Sequence, residues 1–384
     1  MDNKKILLVG NISSIWLREY ICEVLQNNDF DITLLDMSKE GNEFSKEEID
    51  FCKSNSIKVL KNLYNPKTNK LYRALQMYFN LRILRKTEKY DIIHLHFVSV
   101  SGLAILKYLK KDNTLTVASF WGSDILRRDK YYAQKMRKYF KDVDVISLTT
   151  EKMKEKFVSF FGDIFKKKIK MVYFGLSSLK YIDNNMKYKE NIKELFNVPQ
   201  NKVVISIGYN GNEAQQHLKV LKSIRDLEET IKNRIFIVLP MTYGNPSTVY
   251  LSKVNEELSR YWKNNYCIFD KFLDGNELSK LRIISDIFIH AQVTDAMSAS
   301  VMEYLYSGNI VLNPSWIEYY EHQKNGVKYI QYSKIEDIKT ELSKLVLDTQ
   351  YIEKWNEFKN GNRRVIKRYT WENARKEWLK LYVK

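Results

Sequence analysis

Short apolar runs alternate with amphipathic stretches along almost the whole chain. KKILLVG (4–10), DITLLD (31–36), SIKVL (56–60), DIIHLHF (91–97), TLTVASF (114–120), DVISLTT (144–150) and IKMVYFG (169–175) each read as a strand. Between them a 3.6-residue period predicts helices over Trp16–Gln26, Gly102–Lys110 and, strongly basic, Lys70–Lys86. Near-continuous apolar strands separated by helices point to parallel sheets covered on both faces. A second series starts at KVVISIG (202–208) and runs through RIFIVLP (234–240), CIFD (267–270), DIFIHA (286–291), NIVLN (309–313) and a strand near 328. Its helices are expected over Ala214–Asn233, Thr248–Trp262 and Gly275–Ile284. The polar, Asn/Lys-rich stretch 177–200 reads as a linker with one short helix. The expected fold class is therefore α/β, with two Rossmann-like domains over 1–176 and 201–364.

Length supports the same division, because 384 residues exceed what one core usually serves. Three widely spaced cysteines, Cys22, Cys52 and Cys267, offer neither a disulfide framework nor a zinc motif, which fits a reducing compartment. The opening MDNKKILLVG enters a strand directly, without a signal peptide's apolar stretch, and no run approaches the length of a transmembrane helix. A soluble or peripheral protein is expected.

The net charge of +17 is partly scattered Lys, but two stretches concentrate it. RRDKYYAQKMRKYFK (127–141) carries seven basic residues against one acid. KMKEKFVSFFGDIFKKKIK (152–170) carries seven against two, around Phe157, Val158, Phe160, Phe161 and Phe165. Basic helices with aromatic faces suit an anionic membrane surface. No nucleic-acid-binding motif accompanies them, so nucleic acid is not an expected partner.

In open α/β sheets ligands sit at the carboxyl ends of the strands, and five motifs fall there. After the 286–291 strand come Asp295 and a small-residue turn, Met297-Ser298-Ala299-Ser300, then Glu303 on a helix. Ser300-Val-Met-Glu303 fits a capping box, and the helix start offers an anion site. On local pattern alone, Asp295 reads as a turn former and Glu303 as a cap just as readily as both read as sugar-hydroxyl acceptors. Gly208-Tyr209-Asn210-Gly211, with His217 opening the next helix, forms a phosphate-facing type of turn. Pro240, Met241 and Tyr243 follow the 234–240 strand. In the first half, Trp121-Gly122-Ser123-Asp124 follows a strand, and Gly10-Asn11 follows the first. His94 and His96 share one face of their strand, with His96 nearer its end. A packed histidine and a ligand-facing one both remain open there.

An acid, seven residues, a Glu and then a small-residue–Gly pair before a strand resembles the donor signature of family 4 GT-B glycosyltransferases. Asp295 replaces the commoner Glu. The Gly208 turn with His217, the Pro240-Met241-x-Tyr243 string and the Trp121-Gly122 loop look most like TDP-N-acetylfucosamine:lipid II transferases. The usual Arg/Lys pair of the phosphate turn is absent. The resemblance implies a GT-B fold with a closing helix in 365–384 that crosses back to the first domain. It implies a nucleotide-sugar co-substrate and a lipid-linked glycan acceptor, with no metal or other cofactor, at the inner face of the cytoplasmic membrane. By the match, Asp295 lies by the transferred sugar and Glu303 holds the ribose. Gly208, Tyr209, Asn210, Gly211, His217, Pro240, Met241, Tyr243, Ser298, Ala299 and Ser300 complete the donor side. Gly10, Asn11, His96, Trp121 and Gly122 face the acceptor, and Asp124 is a candidate base. A GT-B epimerase and a non-catalytic glycan- or membrane-binding module share many of these features.

Overall fold

The structure is a computed structural model that describes residues 3–383 except 27, 38–43, 61–62, 64–67, 245 and 296–297. Met297, of the small-residue turn, lies outside the described residues. The chain divides into two compact units, one of Met1–Gly175 with Trp371–Lys384 and one of Leu176–Thr370.

Unit 1 is a parallel seven-stranded sheet of β1 (Lys4–Gly10), β2 (Phe30–Asp36), β3 (Lys58–Leu60), β4 (Ile92–His96), β5 (Leu115–Ser119), β6 (Val145–Leu148) and β7 (Ile169–Met171), in the order β3-β2-β1-β4-β5-β6-β7. Unit 2 is a parallel six-stranded sheet of β8 (Val203–Ile207), β9 (Ile235–Pro240), β10 (Tyr266–Phe269), β11 (Ile287–Ile289), β12 (Ile310–Pro314) and β13 (Ile330–Tyr332), ordered β10-β9-β8-β11-β12-β13. Their central strands are buried on both faces, the reason the sequence shows apolar runs and not alternation. In each sheet the strand order reverses once, between β1 and β4 and between β8 and β11. Those two switch points are where such sheets open a crevice.

The last helix, Trp371–Lys380, completes unit 1. Its Trp378 is buried and donates to the Tyr173 carbonyl at 2.9 Å. Trp371 packs against Gly175, where a Cβ would come within 2.3 Å of the indole. Only glycine admits that approach.

Several expected elements differ. The 177–200 stretch holds two helices, Ser177–Asn185 and Lys189–Leu195, in place of a linker with one. Leu179, Ile182 and Ile192 are buried, and both helices pack on the Gly275–Ile284 helix. The Ala214–Asn233 helix is broken into His217–Ile224 and Glu229–Lys232. The Trp16–Gln26 helix becomes α-helix over Ile15–Tyr20 and a π-helical turn over Ile21–Leu25. The aromatic faces assigned to a membrane are also corrected in part. Phe157, Phe161 and Phe165 are buried in the unit 1 core around Phe140, with Phe140 and Phe161 centroids 4.7 Å apart. Burial of each such ring contributes about 2 kcal/mol, so these rings are committed to the fold. No described helix is long and apolar enough to cross a membrane.

Candidate active site

The unit 2 switch point gathers most of the residues expected on the donor side. Gly208 follows β8 with φ of +67°, and its N–H donates to the Ile289 carbonyl of β11 at 3.0 Å. A side chain there would meet His217 Nε2 at 2.6 Å, so the left-handed turn and its contact both demand glycine. His217 is fully buried behind the turn, with Nδ1 and the Tyr250 hydroxyl 3.1 Å apart. Burial pushes its pKa down to about 4, so the ring is neutral at physiological pH. Gly211 N–H donates to the Tyr243 carbonyl at 2.6 Å, and a Cβ at Gly211 would strike Pro246 at 2.7 Å. The 208–211 turn is thus clamped onto the chain leaving β9. Asn210 turns inward, where its side chain accepts from Asn212 N–H. Pro240 and Met241 are buried, with Met241 in the hydrophobic core, whereas Tyr243 is exposed. The Tyr243 hydroxyl lies beside Asn210, Ser300, Arg282 and Glu303 and so links the turn to the next helix.

That helix runs Ala299–Tyr306, and its cap differs from the expected one. Ser298 is the N-cap, accepting from Val301 N–H at 3.3 Å. Glu303 lies a turn deeper and makes no capping box. Its Oε2 accepts from Arg282 Nε at 3.1 Å, while Arg282 also donates to the Tyr304 hydroxyl at 2.9 Å and to Ser300 Oγ at 3.3 Å. Arg282 is buried over the Tyr304 ring, 4.4 Å from its centroid, and Tyr304 stacks on Phe288 of β11. The guanidinium is therefore spent on holding Glu303 and cannot serve as the absent phosphate clamp. Its three hydrogen bonds and aromatic support are what make a buried ion pair tolerable.

Asp295 occupies the loop after β11. Tyr209 donates its hydroxyl to Asp295 Oδ2 at 3.2 Å, and the Tyr319 hydroxyl lies beside the same carboxylate. Burial and that carboxylate push both phenols above their ordinary range. His290, just past β11, places Nε2 3.4 Å from Asp295 Oδ2. Its Nδ1 is 2.8 Å from Asn313 Oδ1, and Asn313 donates its amide N–H groups to the carbonyls of Pro314 and Ile317. That fixes the amide, so Nδ1 of His290 carries the proton. Sequence reasoning missed His290, Asn313, Arg282 and Tyr319. The only signal available was their position on or next to β11, β12 and the helix before β11.

The unit 1 switch point is built differently. Gly10 ends β1, where a Cβ would be 3.4 Å from His96 Cβ, and exposed Asn11 turns the loop by accepting from Ser13 N–H at 2.8 Å. His96 ends β4 buried, its two ring nitrogens without a hydrogen-bond partner and its pKa pushed down to about 3 by burial. Its ring lies 3.9 Å from His94, which shows that the two share a face. His94 is instead fully partnered, with Nδ1 2.6 Å from the Tyr382 hydroxyl and Nε2 2.6 Å from Ser119 Oγ. Trp121 stands edge-on to His96 and Phe174. Gly122, with φ of +123°, follows it. Asp124, the candidate base, is fully buried with both oxygens committed to backbone N–H groups. Oδ2 accepts from Val98, and Oδ1 accepts from Trp121 and Gly122, at 2.8–2.9 Å. Burial raises it to about 6 although these bonds favour the anion. Its geometry is that of a brace for the Trp121-Gly122 loop. Among the described residues, no three His, Cys, Asp or Glu side chains group as a metal site.

Residues 19–177 match the profile of Glycosyltransferase Family 4. No curated protein matches the chain in sequence. Among solved structures, the chain is similar to a glycosyltransferase from Rickettsia africae, at 14% identity and TM-score 0.73, over 100% of this chain and 98% of that one. It is similar to Alr3699/HepE of Anabaena, solved in complex with UDP, at 11% identity and TM-score 0.69 over 98% of both chains. It also resembles the UDP-GlcNAc 2-epimerase of Neisseria meningitidis, bound to UDP-GlcNAc, at 16% identity and TM-score 0.63 over 98% and 99%. These likenesses establish the fold, which is GT-B.

Proposed function

We propose that this GT-B chain is a nucleotide-sugar-dependent glycosyltransferase whose acceptor is a glycan carried on a membrane polyprenyl diphosphate, in cell-surface polysaccharide synthesis. The observation that carries the reading is the convergence at β8, β9 and β11 of the Gly208 turn, Tyr243, the start of the Ala299–Tyr306 helix and two held carboxylates. The HepE structures contain UDP and UDP-glucose, which makes a uridine or related sugar nucleotide the first donor to try. In this reading Glu303, fixed by Arg282 through one oxygen, offers the other to the ribose hydroxyls. Asp295 takes hydroxyls of the transferred sugar. The positive end of the Ala299–Tyr306 helix and the Gly208 turn stabilise the departing diphosphate without a metal, by preorganised donors. Retention at the anomeric carbon, an inner-membrane-face location and use of a TDP-N-acetylfucosamine-like donor are finer parts of the same proposal. Unit 1, with His96, Trp121 and the loop braced by Asp124, takes the acceptor.

A thermal-shift screen over UDP-, GDP- and dTDP-sugars identifies the donor, since a ligand at one hundred times its Kd stabilises the fold by about 2.7 kcal/mol. Asp295→Asn should keep donor binding and lower transfer by about a hundredfold or more. Unchanged transfer in that variant would remove Asp295 from the site. The likeness to an epimerase supplies the second reading. Incubating the donor without acceptor separates the two: accumulation of an epimer would replace the transferase reading.

A further inference from the structure

The helix Lys70–Thr87 in unit 1 is apolar on two opposite sides. Its inner side carries Met77, Leu81 and Leu84, spaced i, i+4, i+7, which pack against the unit 1 core. Its outer side carries Leu71, Leu75, Phe79 and Ile83, an i, i+4 row flanked by Tyr72 and Tyr78. These are exposed by 74%, 47%, 57%, 58%, 51% and 49%, respectively. Single exposed apolar residues are ordinary, but six on one helix are not. This row makes the helix unlike the second basic stretch, whose Phe157, Phe161 and Phe165 are buried.

The charge on the helix decides what covers the row. The sequence Lys70–Thr87 contains five basic residues and no acid. Arg82 and Lys86 are exposed and follow Leu75 and Phe79 by seven positions each, so they extend the same face toward the helix end. Long basic side chains beside an apolar row can lay their stems on it and reach phosphate groups. The next acid, Glu88, is already paired with Lys58 at 2.6 Å. A protein partner would need only the apolar row. An apolar row running into uncompensated cations on one face matches the two layers of an anionic bilayer surface.

We propose that the outer face of the Lys70–Thr87 helix docks in the interface of an anionic membrane, with Leu71, Leu75, Phe79 and Ile83 in the acyl boundary and Arg82 and Lys86 at the lipid phosphates. The inference does not rest on the transferase reading, because its readout is lipid binding and not sugar transfer.

The test is co-sedimentation of the full chain with vesicles of phosphatidylcholine alone or with about one quarter phosphatidylglycerol. Wild type should bind the anionic vesicles, weakly at raised salt, and bind the neutral ones far less. L75S/F79S should lower the partition coefficient about tenfold or more, and R82Q/K86Q should remove most of the salt-sensitive part. K166Q/K167Q, in the second basic stretch, should bind as wild type does. All four positions of the two helix variants are exposed, and a thermal transition equal to wild type verifies that they fold. Equal binding of L75S/F79S, equal binding to both vesicle types, or no vesicle binding would overturn the proposal. So would a concentration-dependent dimer that L75S/F79S abolishes in the absence of lipid binding, which would assign the face to a second copy.

Discussion

The two switch points share a frame and differ in what fills it. In both, a glycine ends or directly follows the first strand (Gly10, Gly208) and a histidine stands at the end of the strand across the reversal (His96 on β4, His290 after β11). Unit 1 packs its histidine among aromatic rings, with no partner for either nitrogen. Unit 2 surrounds its histidine with an amide and a carboxylate. The first arrangement is an aromatic wall, and the second a set of hydrogen-bonding groups. One backbone scheme thus carries two side-chain settings, and the difference lies in side chains contributed by neighbouring strands.

Acidification should have the largest effect on stability, and it should separate the units by a smaller margin. His94 and His96 in unit 1 and His217 and His322 in unit 2 all have pKa values lowered by burial. Below the unfolded value the unfolded chain binds more protons, so stability is full above about pH 6.5 and falls as pH drops below it. At pH 5 His96, His217 and His322 each cost about 2 kcal/mol, and His94, lowered by burial, adds to the loss in unit 1. Asp124 acts in the opposite sense. Its raised carboxyl protonates first in the folded state and returns about 1 kcal/mol to unit 1. Urea unfolding at pH 7 and pH 5, resolved by peptide hydrogen exchange, should therefore find unit 2 the more acid-sensitive. Equal loss in both units would break the contrast.

Removing a partner inside the unit 2 site should be nearly as costly. Arg282→Ala leaves Glu303 buried without its cation, for about 3–5 kcal/mol, read by urea unfolding. Arg282→Lys should recover part of the stability but not the fork that also serves Ser300 and Tyr304. The two strand-end glycines give a smaller, paired test. Gly208→Ala meets both a left-handed backbone and His217, so a loss of about 1–3 kcal/mol is expected. Gly10→Ala meets the Leu17 side chain at 3.0 Å, which can rotate, and His96 Cβ at an ordinary contact distance of 3.4 Å, and should cost under about 1 kcal/mol. Smallest of all, Tyr209→Phe removes one hydrogen bond to Asp295, about 1 kcal/mol, and should show in transfer rate more than in thermal stability.

Strand positions were legible because buried parallel strands leave unbroken apolar runs, and β1, β4 and β9 fall within two residues of their expected ends. The 177–200 helices were hidden because Asn and Lys cover their outer faces, masking Leu179, Ile182 and Ile192 at helical spacing. The phenylalanines of 152–170 show the reverse error, since a row of apolar residues beside lysines does not say which side faces the core. In the site, Asp295 and Glu303 stood out by spacing along one segment. Arg282 and Asn313 reach those acids or their neighbours from other elements, 18–23 residues away, a relation that pairing in space creates. Asp124 shows a further limit: its type and place matched a base, and only its three N–H partners reveal the brace.

The Trp371–Lys380 helix carries a consequence for how the protein is made. Tyr382 meets Tyr20 and His94 across separations of 362 and 288 residues, so unit 1 cannot finish its core until the whole of unit 2 has left the ribosome. During synthesis the Trp378 socket beside Tyr20, His96 and Phe174 stays open to water while unit 2 is free to fold. A circular permutant that joins Trp371–Tyr382 ahead of β1 would turn this last closure into an early local one, and should shorten the vulnerable interval without altering either sheet.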